Sequence, residues 1–243
     1  MNNVSQHIKV FLSAVFFMVE VCAFGQTVIG TPGLMNIPTA EVREAGTFDG
    51  GASLMERELQ PSFKNYNTGL YYVYFAPFSF VDVTFRETLL KCRKSATNAK
   101  VGFYQQDRSL SVRVNPLKEQ EGQWWPSVLA GVNDFYSDHG GSYYAAVYMA
   151  MTKSLQLGGL GAISATAGYA HPIREGILYD GVFGGISISP ACARELRLMG
   201  EYDTRGVNVG LGTQLFRHLN LTCFTREFKG ISATASYQYT IRY

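Results

Sequence analysis

Apolar and polar residues alternate without a break along the C-terminal stretch of the chain, residues 230–243. Because successive side chains of a strand point to opposite faces, this pattern predicts a strand with one apolar and one polar surface. The apolar face ends in aromatic residues, which is typical of the closing strand of an outer-membrane barrel. An ordinary strand of a soluble sandwich is the alternative interpretation. The apolar face consists of Ile231, Ala233, Ala235, Tyr237, Tyr239, Ile241 and Tyr243.

Similar alternation recurs along the chain from residue 47 onward and predicts about twelve strands. An even number of strands is the rule for bacterial single-chain barrels. We therefore predict an all-β fold, a single transmembrane antiparallel up-and-down β-barrel over residues 47–243. The predicted strands are 47–57, 68–75, 79–87, 109–115, 125–135, 143–153, 160–170, 178–189, 196–203, 207–216, 219–226 and 230–243.

The predicted links between strands differ in length in the way that such a barrel requires. Barrels of this kind have short periplasmic turns and longer extracellular loops. If both termini are periplasmic, the short links fall on the periplasmic side and the longer polar links face outward, with 203–206 as a short exception. The short links are 76–77, 154–156, 190–195 and 217–218, and the long ones are 59–67, 88–106, 134–141 and 171–176.

The first 25 residues have the three parts of a secretory signal peptide. His7 and Lys9 supply a weakly positive start, residues 10–19 are apolar, and residues 23–25 form a small-x-small cleavage site. The apolar run is shorter than the roughly 20 residues of a transmembrane helix. We expect cleavage after residue 25 and export of the remaining chain.

A non-regular N-terminal segment follows at residues 26–46. It is rich in glycine and proline, which favour unusual backbone angles and are poor in central strands. Its position before the first strand leads to the hypothesis that it folds beneath the barrel or into its lumen. Probes at Met35 and Ile37 would distinguish a lumenal position from a free one.

Composition favours a barrel in lipid and argues against several other classes of protein. Charged residues make up 16% of the chain and aromatic residues 14%, whereas soluble proteins average roughly 25% charged residues. A net charge of +2 is too small to indicate nucleic-acid binding. The cysteines lack metal-ligand spacing, and no metal or cofactor is predicted. A disulfide between Cys92 and Cys192 is not expected, because we place them at opposite ends of the barrel.

Two motifs give the chain a family resemblance. Residues 30–34 read G-T-P-G-L and residues 37–40 read I-P-T-A, and residues 201–203 read E-Y-D. With these motifs the chain resembles the YjbH-like family of outer-membrane proteins associated with exopolysaccharide production. The resemblance implies a non-enzymatic role in exopolysaccharide export or cell-surface assembly. The positions that match the opening motif are Gly30, Thr31, Pro32, Gly33, Pro38 and Thr39.

Polar residues on the predicted inner face are the candidates for a functional site. A pair of carboxylates is able to perform acid–base chemistry, but buried carboxylates and arginines in a narrow barrel more often pair with each other. We therefore expect ion-pair networks rather than catalysis, although such side chains also suit hydrogen bonding to sugars. The candidates are Asp82, Arg86, Arg113, Glu201, Asp203, Asn208, Gln214 and Arg226.

Three alternatives stay open at this point. A narrow porin-like channel is one, and a soluble periplasmic barrel is another. A membrane-embedded lipid-modifying enzyme is the third, with Ser137 and His139 as the nearest serine–histidine pair. The expected location is the bacterial outer membrane. The expected partners are outer-membrane lipid and lipopolysaccharide, the barrel assembly machinery, and polysaccharide or export components. The basic run 91–94 is interpreted first as a solvated loop, with contact to lipopolysaccharide phosphates as the alternative.

Overall fold

The computed structural model describes residues 25–120, 122–139, 143–175 and 178–241. Nearly all of the predicted signal peptide and the final residue, Tyr243, lie outside the described residues. Two three-residue 3-10 helices, Arg57–Leu59 and Gly158–Leu160, accompany twelve strands. The strands are β1 Thr47–Met55, β2 Thr68–Phe78, β3 Val81–Arg93, β4 Val101–Leu117, β5 Ser127–Ser137, β6 Ala146–Gln156, β7 Gly161–Pro172, β8 Gly181–Pro190, β9 Leu196–Tyr202, β10 Val207–Leu215, β11 Leu219–Arg226 and β12 Ser232–Thr240.

The strands form a closed antiparallel barrel in which each strand pairs with its neighbours in sequence. β1 and β12 close the ring, with Thr47 opposite Thr240 and Leu54 opposite Ala233. The prediction of an all-β up-and-down barrel of about twelve strands is confirmed. We call the end of the barrel that holds Thr47 and Thr240 the near end, and the opposite end the far end.

The two surfaces of the barrel wall have opposite character. In β12 the hydroxyl residues Ser232, Thr234 and Ser236 are buried, whereas Tyr237 and Tyr239 are exposed. Large apolar side chains are likewise exposed along the outside of the other strands. An apolar exterior around a polar interior is the polarity of a membrane-spanning barrel, because the outer face contacts lipid. No helix within the described residues is long and apolar enough to cross a membrane.

Inside the barrel, small polar side chains on neighbouring strands satisfy one another. The hydroxyl groups of Ser53 and Thr234 lie 2.9 Å apart, and those of Thr152 and Thr166 also lie 2.9 Å apart. Opposed hydroxyl pairs of this kind stabilise a sheet and meet the hydrogen-bonding needs of groups that water cannot reach. The polar inner face therefore has a structural role along much of its length.

The predicted long loop at residues 88–106 is largely wrong. β3 runs to Arg93 and β4 begins at Val101, so the link between them is only residues 94–100. These strand extensions were missed because neither of their faces is consistently apolar, and alternation is the feature by which strands are recognised. The turn predicted at residues 76–77 is also displaced, since both residues lie in β2 and the turn falls at residues 79–80.

The N-terminal segment before β1 contains no strand and lies inside the barrel. Isolated bridges pair Gln26 with Pro32 and Gly33 with Pro38, and they fold the segment back on itself. Six of its apolar side chains are at most 2% exposed. We call residues 26–46 the plug. The buried apolar residues of the plug are Val28, Ile29, Leu34, Met35, Ile37 and Ala40.

Candidate functional site

Glu201 on β9 is the principal acceptor for the backbone of the plug. Its carboxylate accepts hydrogen bonds from the backbone N–H groups of Asn36 at 2.7 Å, Met35 at 3.0 Å and Ile37 at 3.4 Å. The side-chain amide of Asn208 donates to the same carboxylate at 2.8 Å. A carboxylate that accepts several N–H groups is stabilised in its buried position. Glu201 therefore acts as an anchor, with its oxygens engaged by the plug.

Asp203, directly after β9, completes this anchor. Its carboxylate accepts hydrogen bonds from the side-chain amides of Asn36 at 2.6 Å and Asn208 at 3.1 Å. It also forms a buried ion pair with the guanidinium of Arg226 on β11. Four of the predicted inner-face residues thus form one cluster on three neighbouring strands, namely Glu201, Asp203, Asn208 and Arg226.

Arg113 on β4 holds the plug from a different part of the wall. Its guanidinium binds Asp82 of β3 through two nitrogens, at 2.8 and 2.7 Å. The same group donates to the carbonyl oxygens of Pro32 at 2.9 Å and Thr39 at 3.1 Å. A bidentate arginine–carboxylate pair fixes the guanidinium plane, which leaves its remaining donors aimed at the plug.

Residues of the opening motif make specific contacts within the plug and with the barrel wall. Pro32 and Thr39 present the carbonyls that Arg113 binds, and Thr31 Oγ1 lies 3.0 Å from Thr27 Oγ1. Gly30 has φ of +88° and lies against the ring of Tyr72. A side chain at this position would meet both an unfavourable backbone angle and the aromatic ring.

Arg43 is a third link between plug and wall, and sequence reasoning missed it. Its Nη1 lies 2.7 Å from the Asp49 carboxylate on β1 and 2.6 Å from Gln238 Oε1 on β12. The guanidinium carbon lies 5.2 Å from the centroid of the Tyr74 ring. The irregular backbone of the plug gives no periodicity that would have shown Arg43 to face the barrel wall.

Arg86 and Gln214 lie on the inner face but outside these anchors. Arg86 pairs with Asp134 on β5 at 2.6 Å, and both side chains are buried. The sequence had placed Asp134 at the start of a loop, and its φ of 49° marks an irregular strand residue. Gln214 is buried on β10 towards the near end. All eight predicted inner-face residues are therefore buried, and seven of them form ion pairs or side-chain hydrogen bonds described above.

Two small cavities lie against the inner face of the wall, one at each end of the barrel. A cavity of about 20 Å³ lies at the far end and includes Arg86, Asp107 and Tyr144 in its lining. A second, of about 10 Å³, lies beside Arg197 and Asn220. Each has room for about one water molecule, whereas a porin leaves an aqueous channel.

At the far end, Glu56 follows β1 and lies against the β11–β12 link. Its backbone N–H donates to Ser232 Oγ at 3.1 Å, and its carboxylate accepts from the backbone N–H of Arg226 at 3.3 Å. Burial raises the pKa of the Glu56 carboxyl above its ordinary value, although the N–H of Arg226 opposes this effect. The carboxyl therefore gives the closed far end a dependence on pH.

The geometry around Ser137 does not form a nucleophile–base pair with the ring of His139. The hydroxyl of Ser137 lies 2.8 and 3.1 Å from the two carboxylate oxygens of Asp107. The ring of His139 instead faces Asp138 at 3.6 Å. A serine nucleophile needs its hydroxyl within hydrogen-bond reach of the base. This geometry does not favour the lipid-modifying enzyme considered from the sequence.

Two further features of the described residues bear on the predicted chemistry. No group of three or more metal-ligating side chains occurs within the described ranges. Cys92, Cys192 and Cys223 are all free thiols. Cys92 is on β3 near the far end, and Cys192 lies in the β8–β9 link at the near end.

A family comparison matches the plug and the first seven strands of the barrel. The family model YjbH, described as "Exopolysaccharide biosynthesis protein YbjH", matches residues 25–172. The chain belongs to this family. The match covers the plug and β1–β7, including the Arg113 anchor, whereas the motif at residues 201–203 lies beyond it. Family membership and a barrel with an apolar exterior make this YjbH-family protein an outer-membrane β-barrel.

Three solved structures match the chain at low similarity. "KdgM porin" has 8% sequence identity and a TM-score of 0.46, covering 81% of this chain and 99% of that one. The outer membrane phospholipase (OMPLA) dimer of Salmonella typhi with bound calcium has 8% identity and a TM-score of 0.36, covering 82% and 91%. Outer membrane phospholipase A from Escherichia coli has 7% identity and a TM-score of 0.36, covering 82% and 97%. No curated protein matches the chain.

Proposed function

We propose that this YjbH-family barrel has a non-enzymatic role in exopolysaccharide export or cell-surface assembly. The observation that carries the proposal is the closed lumen, in which the family-matched plug is bound by Arg113 and Glu201. A plug that donates and accepts this many buried hydrogen bonds is a built part of the fold rather than a loose terminus. The barrel then acts through its two ends and its outer surface.

The same observation weighs against the porin-like alternative. Solute flow through the lumen requires that the plug leave or shift, which breaks the contacts to Asp203, Glu201 and Arg113 together. Charge-assisted hydrogen bonds are each worth about 1.5–3 kcal/mol. A resting barrel is therefore closed, and we place the function in assembly of the polysaccharide system rather than in diffusion of small solutes.

We further propose that the signal peptide is cleaved, that both termini are periplasmic and that the far end faces the outside. Native cysteines at opposite ends provide the test. A chain that retains only Cys92 reacts with a membrane-impermeant maleimide in intact cells, whereas one that retains only Cys192 reacts only after the outer membrane is opened. The reverse labelling pattern contradicts this orientation.

The functional experiment measures polysaccharide on the cell surface and in the periplasm of cells that lack the protein. The proposal expects surface polysaccharide to fall and to be restored by the wild-type chain. The variant Ser137→Ala together with His139→Ala restores it equally, because the role is non-enzymatic. Unchanged surface polysaccharide in the deletion strain, or failure of that double variant at normal protein levels, overturns the proposal.

A further inference from the structure

At the far end, β3 and β4 continue beyond the barrel wall as a two-stranded ribbon. β2 pairs with β3 only as far as Thr88, and β4 pairs with β5 only from Ser109. Beyond these points residues 89–93 pair with 101–106. We call residues 89–106 the ribbon, and its tip is the link 94–100. The ribbon is an exposed extension and adds no residue to the closed wall.

The ribbon carries positive charge without compensating acid. It contains no Asp or Glu. Among the residues that the structure describes, none of its four basic side chains forms an ion pair. Other exposed cations at the far end differ, since Arg57 pairs with Glu58 and Lys229 pairs with Glu227. The basic residues of the ribbon are Lys91, Arg93, Lys94 and Lys100.

Two of these cations lie on the face of the ribbon that continues the outer surface of the barrel. Phe85 is an outward residue of β3, and alternation from it places Lys91 and Arg93 on the same face. Lys91 is opposite Phe103. Tyr66 supports this pair, because its ring lies 6.0 Å from Phe103 between centroids and its hydroxyl accepts the Lys91 N–H at 3.2 Å.

The height of this face matches the headgroup layer of a membrane. The outward face of β3 passes from Phe85 through Glu87, which contacts Tyr71 and Arg108, to the apolar side chain of Leu89, which lies beside Gly69. Lys91 is two residues beyond Leu89, which corresponds to about 5 Å along the barrel axis for a tilted strand. Each headgroup region of a bilayer is about 5–8 Å thick. Cations and aromatic rings at this level face polar headgroups rather than acyl chains.

We propose that the outward face of the ribbon binds the phosphate groups of glycolipid headgroups in the outer leaflet. Lys91 and Arg93 donate to the phosphate oxygens, and Phe103 and Tyr66 lie against the less polar part of the headgroup. The site rests on the outward orientation of the far end given in the proposed function. It does not require a role in polysaccharide export.

The test uses the purified full chain in detergent and fluorescent lipopolysaccharide as the probe. The variant Lys91→Gln with Arg93→Gln is compared with Arg57→Gln with Lys229→Gln, which removes the same charge from ion-paired positions at the same end. Because each cation near an anionic headgroup adds to binding, the ribbon variant, which lacks two of them, binds about 30-fold more weakly than wild type. The control variant binds within about threefold of wild type.

Three further arms identify the ligand. Lipopolysaccharide stripped of phosphate binds the wild type as weakly as the ribbon variant binds the intact lipid, and millimolar inorganic phosphate does not compete. An equal loss of lipopolysaccharide affinity in the ribbon variant and the control variant would show that binding depends only on net charge, which would overturn the proposal. Ribbon-dependent binding of acidic exopolysaccharide with no effect on lipopolysaccharide would also overturn it. The Cys92 labelling in intact cells tests the orientation separately.

Discussion

Glu201 offers the sharpest test of how the plug is held. The change Glu201→Gln keeps the size of the side chain but replaces one acceptor oxygen with an NH2 group. One oxygen accepts from Met35 and Ile37, and the other accepts from Asn36 and Asn208. Whichever oxygen is replaced, a backbone N–H of the plug loses its acceptor and faces another donor.

The size of the effect follows from these contacts. A hydrogen bond to a charged group contributes about 1.5–3 kcal/mol, and the remaining bonds become weaker when the carboxylate is neutralised. We expect Glu201→Gln to destabilise the docked plug by about 2–4 kcal/mol, which raises the population of the undocked plug about 30-fold to 1000-fold.

The assay is the rate at which Met35→Cys reacts with a water-soluble maleimide, in a chain whose Cys92, Cys192 and Cys223 are replaced by serine. Met35 is 0% exposed, so labelling reports undocking and scales with the open population when closing is fast. Glu201→Gln raises the rate by the stated factor. Glu227→Gln, at an exposed carboxylate, is the control and leaves the rate within about threefold. A rate unchanged by Glu201→Gln would refute the anchoring role.

Three other predictions concern stability, measured as the temperature at which gel mobility shifts on heating. Arg113→Met leaves the buried Asp82 carboxylate unpaired and lowers the free energy of unfolding by about 3–5 kcal/mol. Adding Asp82→Asn restores part of this stability, and a double variant no more stable than Arg113→Met contradicts the prediction. Gly30→Ala lowers the transition further than Gly122→Ala, because both have positive φ but only Gly30 faces an aromatic ring; equal losses would show that the Tyr72 contact is unimportant. Because the pKa of Glu56 is raised by burial, the native state favours its protonated form, and stability falls as pH rises above the ordinary carboxyl range. Glu56→Gln removes this fall, so the stability of the variant equals that of wild type near pH 4 and is greater at pH 7. Parallel curves of stability against pH for the two proteins would show that Glu56 is not the cause.

Much of the barrel could be predicted because lipid and lumen impose opposite demands on alternate residues. β12 shows this clearly, with Ser232 and Thr234 buried and Tyr237 exposed. The ribbon was missed because above the membrane neither face has to be apolar. Arg43 and Asp134 were missed for another reason. Each acts from irregular backbone, where position in the sequence does not determine direction, and their partners follow from tertiary packing.

For the inner-face candidates, too, alternation predicted which residues face the lumen, whereas tertiary packing determines their partners. Alternation indicated that Asp82, Arg86 and Arg113 share the inner surface. It did not indicate that Asp82 pairs with Arg113 while Arg86 reaches across to Asp134. Nor did it reveal that Glu201 holds backbone groups of a segment more than 160 residues away. Such contacts depend on strand register and on closure of the barrel.

The central claim is that this outer-membrane barrel is closed by its own N-terminal plug. Current recordings of the purified wild-type protein in planar lipid bilayers test it most directly, with the Glu201→Gln variant measured alongside. The account predicts no stable conductance steps for the wild type and transient openings for the variant. Steady single-channel conductance of the wild type, unchanged by Glu201→Gln, would contradict it.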